Sequence, residues 1–145
     1  VSIRTSKYDD YFNGVDELIF DTKTFQPLAA VDTTLDPMVK AHQLMDKMIQ
    51  GGQLKYGLEI GPAGVKKRTH ERLPLFIISI KLEDCLILTR DILQGETSEE
   101  GERIKKAVSD SIILQSEKFQ EITSDTLKDF YRGAKGIFEE IKSEK

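Results

Sequence analysis

The side chains that most often catalyse reactions are few in this chain. It has two histidines, His42 and His70, and a single cysteine, Cys85. Neither histidine lies at a spacing from a Ser, Cys or carboxylate that specifies a catalytic triad. His42 falls on the apolar face of a predicted helix, which favours a partly buried core histidine, and His70 lies in a basic segment where we expect solvation. The histidines therefore indicate no acid–base site.

Cys85 is also a poor candidate nucleophile. The carboxylate of the preceding Asp84 raises a thiol pKa rather than lowering it, and the apolar residues 86–88 predict burial. A structural zinc site needs four nitrogen or sulfur ligands from close pairs, which one cysteine and two distant histidines do not supply. We therefore predict no catalytic residue, no metal and no cofactor. An enzyme would require a pocket that holds carboxylates, such as Glu59 and Glu83, with strongly raised pKa values.

The glycine-rich segment 57–64 has the composition of a phosphate-binding loop. It precedes a strand-like segment rather than a helix, however, and it lacks the Gly-Lys-Ser/Thr of a Walker loop. A dinucleotide fingerprint fails for the same reason, because the phosphate must rest on a helix N-terminus. A hairpin turn is the preferred interpretation.

Basic residues are dense in one segment, where only Glu71 opposes them. They are Lys66, Lys67, Arg68 and Arg72. Lysines and arginines on an edge strand discourage unwanted sheet pairing, which is the structural interpretation of this segment. The functional alternative is a contact for an acidic protein, or peripheral contact with anionic lipid, since each basic group near such a membrane contributes about 1 kcal/mol. The salt dependence of binding separates the two.

The last predicted helix has three aromatic residues on its apolar stripe, Phe130, Tyr131 and Phe138. Most such stripes belong to the core. If the preceding helix already covers that face of the sheet, this stripe must pack on its neighbour or in a partner's groove. It then provides a binding surface for a protein partner or for a second copy of the chain.

The N-terminal half is predicted to form a hairpin and then a helix. Two β-runs within residues 15–31 are joined by a polar turn at 21–24. Asp36 is the predicted N-cap of a helix that has Pro37 in its first turn and Gly51-Gly52 as its stop. The predicted apolar face of this helix consists of Met38, Ala41, His42, Met45, Met48 and Ile49.

Further strands are predicted in the middle of the chain. Alternating apolar residues predict a strand over 54–60, and residues 65–70 are expected to return antiparallel to it as an edge. Residues 75–82 and 85–89 are predicted to be adjoining central strands. Because the connections are of hairpin length, the sheet is expected to be mainly antiparallel.

Two helices are predicted to complete the chain. A capping box made by Thr97 and Glu100 begins a helix of about 20 residues, and a second helix covers 124–145. The predicted fold is therefore α+β, with a mainly antiparallel sheet of about five to six strands, one helix between hairpins and two C-terminal helices. We expect a single domain over 1–145, with its core in 15–115.

Composition narrows the class of protein. With 39% hydrophobic and 32% charged residues, the chain is typical of a soluble globular domain. Its net charge of −4 and its lack of a long Lys/Arg stripe disfavour nucleic acid as a partner. No stretch approaches about 18 apolar residues, so we expect no integral membrane segment. A lone cysteine fits a reducing compartment, and we expect a cytoplasmic protein.

The order of a hairpin, a capped helix, an antiparallel meander and a helix over residues 15–115 resembles the small α/β domains of the longin, roadblock and profilin-like group. The resemblance implies a non-enzymatic domain that dimerises through sheet edges or helices and serves as a platform for small GTPases, vesicle-trafficking assemblies or actin. The extra helix at 124–145 departs from this group. The chain also lacks the N-terminal Trp and Tyr pair that profilins use to bind proline-rich peptides.

The sequence therefore predicts a non-enzymatic protein-interaction module, such as a regulatory platform for small GTPases, trafficking or the cytoskeleton. Two alternatives belong to other classes. A small-ligand sensor would enclose an apolar ligand between the sheet and the Met-rich helix, which contains Met38, Met45 and Met48. An acidic chaperone would bind an aggregation-prone client.

Overall fold

The computed structural model of the protein describes residues 1–61 and 64–143. Within those ranges the fold is α+β, and none of its helices is long and apolar enough to span a bilayer. The strands are β1 Ser2–Arg4, β2 Glu17–Phe20, β3 Pro27–Thr34, β4 Gly52–Gly61, β5 Gly64–Leu73 and β6 Leu75–Ser79. The helices are α1 Pro37–Gln50, α2 Leu82–Gln94, α3 Glu99–Ile122 and α4 Asp125–Ser143, together with a π-helical turn, Asp9–Asn13.

The strands form two sheets. β1, β2, β3 and β6 make one mixed sheet in that order, and β4 and β5 make a separate antiparallel hairpin. The β1–β2 and β2–β3 pairs are antiparallel, whereas β3 and β6 run parallel, with Val31 opposite Phe76. The predicted single, mainly antiparallel sheet is therefore wrong. α1 and the β4–β5 hairpin together form a connection from β3 to β6 that is long enough for parallel pairing, which a hairpin turn does not allow.

The predicted hairpin over 15–31 is confirmed by β2 and β3. Its turn is held by Asp21, whose carboxylate accepts hydrogen bonds from the Lys23 N–H at 2.9 Å and from the Thr24 hydroxyl at 2.7 Å. Residues 29–32 of β3 and residues 75–78 of β6 are buried without interruption. Because adjacent residues of a strand point to opposite faces, both faces of this strand pair are covered.

The second predicted antiparallel pair is confirmed by β4 and β5, but its burial differs from the predicted alternation. The pairing shifts between Leu54 and Gly57, so that Leu54 is buried while Tyr56 is exposed. Residues 62 and 63 of the predicted Gly61-Pro-Ala-Gly64 turn lie outside the described residues.

Helix α1 has its predicted ends. The Asp36 carboxylate accepts a hydrogen bond from the Val39 N–H at 3.2 Å, which caps the helix. Gly51 ends it with a φ of +97°, a backbone conformation that favours glycine. A Cβ at Gly51 would lie 2.5 Å from Arg72 Cα, so glycine is also needed there for the close passage of β5.

The apolar face of α1 is rotated from its predicted position. Leu44 and Met48 are buried, and Ala41 and Ile49 pack against the core. The other members of the predicted face, Met38, His42 and Met45, are exposed. The partly buried position predicted for His42 is therefore wrong, because a helix that lies on a sheet covers only one stripe of its surface.

Residues 82–94 form α2, so the predicted strand over 85–89 is wrong. Short apolar runs fit both a buried strand and one side of a helix, and periodicity alone does not separate them. Glu83 and Asp84 lie in the first turn, where acidic side chains favour a helix N-terminus. Cys85 is exposed on this helix, contrary to its predicted burial.

Helix α3 begins one residue later than the predicted capping box. Its N-cap is Ser98 rather than Thr97, and the Ser98 hydroxyl accepts a hydrogen bond from the Gly101 N–H at 3.0 Å. The Asp91 carboxylate of α2 accepts hydrogen bonds from both the N–H and the hydroxyl of Ser98. These bonds hold α2 against the start of α3.

Helix α4 packs on the protein's own core. Tyr131 is fully buried, and its hydroxyl donates to the Met48 carbonyl at 2.8 Å and accepts from the Leu75 N–H at 3.2 Å. Its ring stacks on Phe119 and meets Phe76 edge-on, with centroid distances of 5.6 and 5.5 Å. This one side chain therefore joins α4 to α1, α3 and β6.

Candidate functional site

Asp32 is a buried carboxylate whose two oxygens have different surroundings. It lies on β3 with 1% of its surface exposed. Its Oδ1 accepts a hydrogen bond from Lys40 Nζ at 3.0 Å, while its Oδ2 has no hydrogen-bond partner among the described residues. Leaving a buried polar atom unpaired costs about 1–3 kcal/mol, and more for a charged group. An ordered water, a bound ion or a catalytic role explains such an atom.

The turn from β3 into α1 brings Lys40 to Asp32. The Asp36 N–H donates to the Thr34 hydroxyl at 3.1 Å, and Asp36 in turn caps the helix. Lys40 is one turn into α1, where its N–H donates to the Asp36 carbonyl at 3.3 Å. Side chains on a helix lean toward its N-terminus, so Lys40 leans back toward the end of β3. Two regular elements thus hold the ion pair in place.

Asp16 adds a second carboxylate from the neighbouring strand. It precedes β2, and its Oδ2 accepts a hydrogen bond from the Thr33 N–H at 2.8 Å. Burial raises the pKa of Asp16, and the negative charges of Asp32 and Asp10 raise it further, although the Thr33 hydrogen bond opposes them. Asp10 in the π-helical turn and Asp32 on β3 therefore both oppose the ionisation of Asp16, which lies just before β2.

The π-helical turn that contains Asp10 is fixed by its neighbour Asp9. The Asp9 carboxylate is fully buried and accepts backbone N–H hydrogen bonds from Lys55 at 2.7 Å and Tyr56 at 3.1 Å. The Ser6 hydroxyl and the Asn13 amide donate to it at 2.8 and 2.7 Å. Burial raises the pKa of Asp9, but these four hydrogen bonds outweigh it and bring the pKa below its ordinary value. Asp9 is thus a structural carboxylate that joins the turn to β4.

Gly14 ends the same turn against α1. Its φ is +64°, and a Cβ there would lie 2.7 Å from Leu44 Cδ2. Both the backbone conformation and the close approach therefore favour glycine. The turn is held between β4 on one side and α1 on the other.

Lys47 brings a second ammonium group to the site. Its Nζ donates to the Phe12 carbonyl at 2.9 Å. Burial lowers the pKa of Lys47 and the charge of Lys40 lowers it further, while the charge of Asp32 opposes the shift. Lys40 and Lys47 lie two turns apart on α1, so they share one side of the helix. We call Asp10, Asp16, Asp32, Lys40 and Lys47 the acid–lysine site.

The donor set of the acid–lysine site suits one kind of cation. Among the described residues, no three His, Cys, Asp or Glu side chains converge closely enough to hold a metal ion by themselves. Mg²⁺ commonly binds through one or two carboxylates, completed by waters and by the phosphate of a substrate. Lysine ammonium groups bind phosphate oxygens as point charges. Because these side chains alone do not complete a metal site, a divalent cation here would also need oxygen ligands from water or from a phosphate group.

The predicted basic segment lies on β5, and its Arg72 lines a surface pocket together with Glu71 and Lys47. Lys66, Lys67 and Arg68 are exposed, and Arg68 forms a 2.8 Å ion pair with Glu59 across the hairpin. Arg72 has a φ of +58° near the end of β5, where the chain bends toward β6. The segment is thus an exposed edge, as predicted, and its binding role stays a prediction.

His70 lies within the basic segment but not in solvent. It is buried, and its Nε2 lies 2.8 Å from the Leu58 carbonyl. A Cβ at Gly57 would lie 2.3 Å from His70 Cδ2, so the glycine makes room for the ring. The solvated position predicted for His70 is therefore wrong, because the shifted pairing of the hairpin turns this ring inward.

The three aromatic residues predicted as a binding stripe on α4 do not share a surface. Tyr131 and Phe138 are buried in the core, whereas Phe130 is 47% exposed. The sheet and α3 already cover the stripe, so a partner has access to Phe130 but not to the other two.

A cavity of about 250 Å³ lies between β1, β2 and β4 and reaches Tyr56. None of its lining residues is a methionine. Met38 and Met45 are exposed on α1, and Met48 is in the core. The predicted methionine-lined ligand site therefore does not correspond to this cavity. Glu59, on β4, is half-buried and forms the ion pair with Arg68, and Glu83, on α2, is exposed.

Sequence reasoning missed Asp16, Asp32 and Lys40. The three residues form no contiguous motif, and they meet only because β2, β3 and the start of α1 are neighbours. One signal was available, since Asp32 continues the apolar run 28–31 of a predicted strand. A charged residue in a buried strand is rare unless it is paired or functional.

No family model, curated protein or solved structure matches this chain. The resemblance of element order to the longin, roadblock and profilin-like group stays a prediction. Function is therefore inferred below from the acid–lysine site.

Proposed function

We propose that the protein is a divalent-cation-dependent phosphoester hydrolase that uses the acid–lysine site. The observation that supports it is the surroundings of the Asp32 carboxylate. Its Oδ1 accepts a hydrogen bond from Lys40, and its Oδ2 is buried without a partner among the described residues. A magnesium ion at Oδ2 would satisfy that oxygen. The predicted non-enzymatic role stays a prediction, and the hydrolase is an alternative to it that rests on Asp16, Asp32 and Lys40, which are brought together only by the fold.

The carboxylates and the lysines have complementary roles in this chemistry. Asp32 and Asp16 would hold the cation, which when bound would supply positive charge against the negative charge that grows on the phosphate oxygens, and the Lys40 ammonium group would act on the same charge. The oxygen of a water molecule forms a bond to phosphorus, and the bond from phosphorus to the leaving oxygen breaks. The proton of the water passes to a carboxylate and then to solvent, and the leaving oxygen takes up a proton.

The place of the site in the fold also favours a ligand. Asp32 lies near the carboxyl end of β3, which pairs in parallel with β6 and continues directly into α1. In open sheets with parallel strands, ligands bind outside the carboxyl ends of the strands. The capped start of α1 at this end presents the positive end of its dipole.

Metal binding is the first test. Mn²⁺, which can be followed by electron paramagnetic resonance, replaces Mg²⁺ as the probe, and we expect Asp32→Asn to weaken its binding by more than about 10-fold. Asp46→Asn is the matched control, because Asp46 is an exposed aspartate on the same helix as Lys40. Equal binding by the wild type and Asp32→Asn would contradict the proposal.

Hydrolysis is the second test. With a chromogenic phosphodiester in Mg²⁺, we expect Asp32→Asn and Lys40→Met each to lower the rate by about 100-fold or more. Lys66→Met on β5 removes a comparable charge away from the site and should leave the rate unchanged. The proposal fails if the wild type has no Mg²⁺-dependent activity, or if all three variants hydrolyse the substrate equally well.

The protein-interaction module is the second candidate function. It is favoured by β5, which pairs with β4 on one side only within the described residues and exposes Lys66, Lys67 and Arg68. A partner strand that pairs with this edge would need acidic side chains to match it. Light scattering and capture with purified acidic peptides test it, and a strict monomer that binds no such peptide would contradict it.

A further inference from the structure

Four aromatic rings form an exposed cluster around the π-helical turn. They belong to Tyr8, Tyr11, Phe12 and Tyr56, and we call them the aromatic shelf. The Tyr8 centroid lies 4.8 Å from that of Phe12 and 5.4 Å from that of Tyr56, and Tyr11 and Phe12 are 5.0 Å apart. Tyr11 and Phe12 are 82% and 61% exposed. Exposed aromatic clusters of this kind mark surfaces that bind something.

The aromatic shelf also has a positive charge. Lys55 Nζ lies 5.0 Å from the Tyr8 ring centroid and 5.5 Å from that of Tyr56. A cation above aromatic faces is a cation–π contact, and it places an ammonium group among the rings. A ligand that combines flat rings with negative charge matches this surface.

The aromatic shelf borders the acid–lysine site. The Phe12 carbonyl accepts the hydrogen bond from Lys47 Nζ at 2.9 Å. Asp10, whose charge acts on Asp16, directly precedes Tyr11 in the chain. One short turn therefore supplies a carboxylate to the site and two rings to the shelf.

The two halves of the shelf are held in a fixed arrangement. Tyr8, Tyr11 and Phe12 come from the turn region, and Tyr56 comes from β4. Asp9 joins them, since its buried carboxylate accepts hydrogen bonds from the backbone N–H groups of Lys55 and Tyr56. The backbone segments that bear the rings are therefore joined directly to one another.

We propose that the aromatic shelf stacks unpaired bases of a single-stranded nucleic acid whose phosphodiester backbone reaches the acid–lysine site. The inference rests on the proposed hydrolase function and names its substrate class. Aromatic side chains beside basic residues bind single strands because every base has a face that can stack. Bases in a duplex are stacked on each other and do not offer their faces, so single strands are preferred.

The net charge of −4 disfavoured nucleic acid as a partner, because net charge averages over the whole chain. Residues 1–72 contain ten basic and ten acidic side chains, so the half with the shelf is neutral, and the acidic excess lies in residues 73–145. Those acidic residues belong mainly to α2, α3 and α4. At the shelf itself, the Lys55 ammonium group lies over the Tyr8 and Tyr56 rings and the Lys47 ammonium group bonds to the Phe12 carbonyl.

Binding to a labelled oligonucleotide tests the inference. A fluorescein-labelled oligothymidylate of about 15 nucleotides is titrated with protein in EDTA, so that no hydrolysis occurs, and its anisotropy is measured. We expect Phe12→Ala and Tyr11→Ala each to weaken binding by about 5- to 100-fold. Phe130→Ala removes an exposed aromatic ring from α4 and should leave binding unchanged. A duplex of the same length should bind at least about 10-fold more weakly.

The outcomes separate this inference from the proposed function. Asp32→Asn should still bind the oligonucleotide in EDTA while it loses hydrolysis. Single-strand binding that depends on Phe12, without any Mg²⁺-dependent cleavage, would overturn the hydrolase and retain the shelf as a binding site. Equal binding of duplex and single strand, or no effect of Tyr11→Ala and Phe12→Ala, would overturn the inference. Binding of a proline-rich peptide in place of the oligonucleotide would overturn it as well.

The tyrosines give an independent measurement. The chain has no tryptophan and four tyrosines, of which Tyr8, Tyr11 and Tyr56 lie on the shelf and Tyr131 is buried. Stacked bases should therefore quench most of the exposed tyrosine fluorescence. Oligothymidylate that binds without quenching would show that it lies elsewhere on the surface. Thermal melts of each variant confirm that it is folded.

Discussion

Asp9 and Asp32 are equally buried aspartates with opposite surroundings. The Asp9 carboxylate accepts four hydrogen bonds, from two backbone N–H groups and two side chains. The Asp32 carboxylate has Lys40 on one oxygen, and the other is without a partner among the described residues. Burial alone therefore does not distinguish a carboxylate that the protein fully hydrogen-bonds from one that it leaves partly unpaired. The distinction lies in how completely the protein itself satisfies the buried charge.

Tyr131 provides a third case, from the helical half of the molecule. Its hydroxyl has both a donor and an acceptor partner, and burial raises its pKa far above the ordinary value. Tyr131 therefore stays neutral and joins α4 to α1 and β6. Asp9 joins the π-helical turn to β4 in a comparable way, but as a charged carboxylate. The oxygen without a partner, Asp32 Oδ2, lies near the end of β3, close to the start of α1.

Asp9→Ala should have the largest effect on stability. It leaves the N–H groups of Lys55 and Tyr56 without their acceptor, and we expect a loss of about 3 kcal/mol in the free energy of unfolding. Urea denaturation followed by circular dichroism measures it. Asp46→Ala is the control, because Asp46 is exposed on α1. Equal stability of the two variants would show that Asp9 does not hold the turn to β4.

Tyr131→Phe should have an intermediate effect. The ring and its packing remain, but the Met48 carbonyl and the Leu75 N–H lose the hydroxyl, which should cost about 1–2 kcal/mol. The same denaturation experiment measures it. Phe130→Leu, at the exposed neighbouring position, should change stability by less than about 0.5 kcal/mol.

Asp32→Asn should have the smallest effect on stability. The substitution weakens the pair with Lys40, but it also removes a buried charge that is incompletely solvated and that raises the pKa of Asp16. We expect the free energy of unfolding to change by less than about 1 kcal/mol, in either direction. A loss as large as that of Asp9→Ala would place Asp32 among the structural carboxylates.

The pH dependence of stability should differ between Asp9 and Asp16. The pKa of Asp9 is lower in the folded protein, so its stabilisation is present above its unfolded pKa and is lost as the pH falls below about 4. The pKa of Asp16 is raised, so ionisation of Asp16 costs stability as the pH rises through that higher value. Denaturation of Asp9→Asn and Asp16→Asn between pH 3 and pH 7, about the range in which carboxyl groups titrate, should show differences from the wild type of opposite slope. Slopes of the same sign would contradict the assigned surroundings.

Elements with strong local signals could be predicted. Asp36 and Pro37 at one end of α1 and Gly51 at the other act through neighbouring backbone groups, so this helix was predicted with its bounds. The strand predicted over 85–89 was wrong, because its apolar run lacks a local signal that separates a strand from a helix. The cap of α3 was missed by one residue for a similar reason, since Thr97 and Ser98 both suit an N-cap.

Contacts between distant segments were not predictable. The parallel pairing of β3 with β6 and the separation of β4 and β5 into their own sheet depend on how segments far apart in the chain pack. The acid–lysine site shares this property, because Asp16 and Asp32 meet only through the β2–β3 pair. Likewise, the three aromatic residues predicted as a binding stripe on α4 do not form one surface, because Tyr131 and Phe138 are buried in the core.

The α+β class, the first hairpin and the bounds of α1 follow from the sequence alone, because turn chemistry, caps and periodicity act within a few residues. The burial of particular acidic side chains, among 25 in the chain, and the hydrogen-bond partners that they find depend on the fold. Hydrogen-bond satisfaction depends on the positions of groups from several elements at once. That is the physical reason why Asp9 and Asp32 look alike in the sequence and differ in the folded protein.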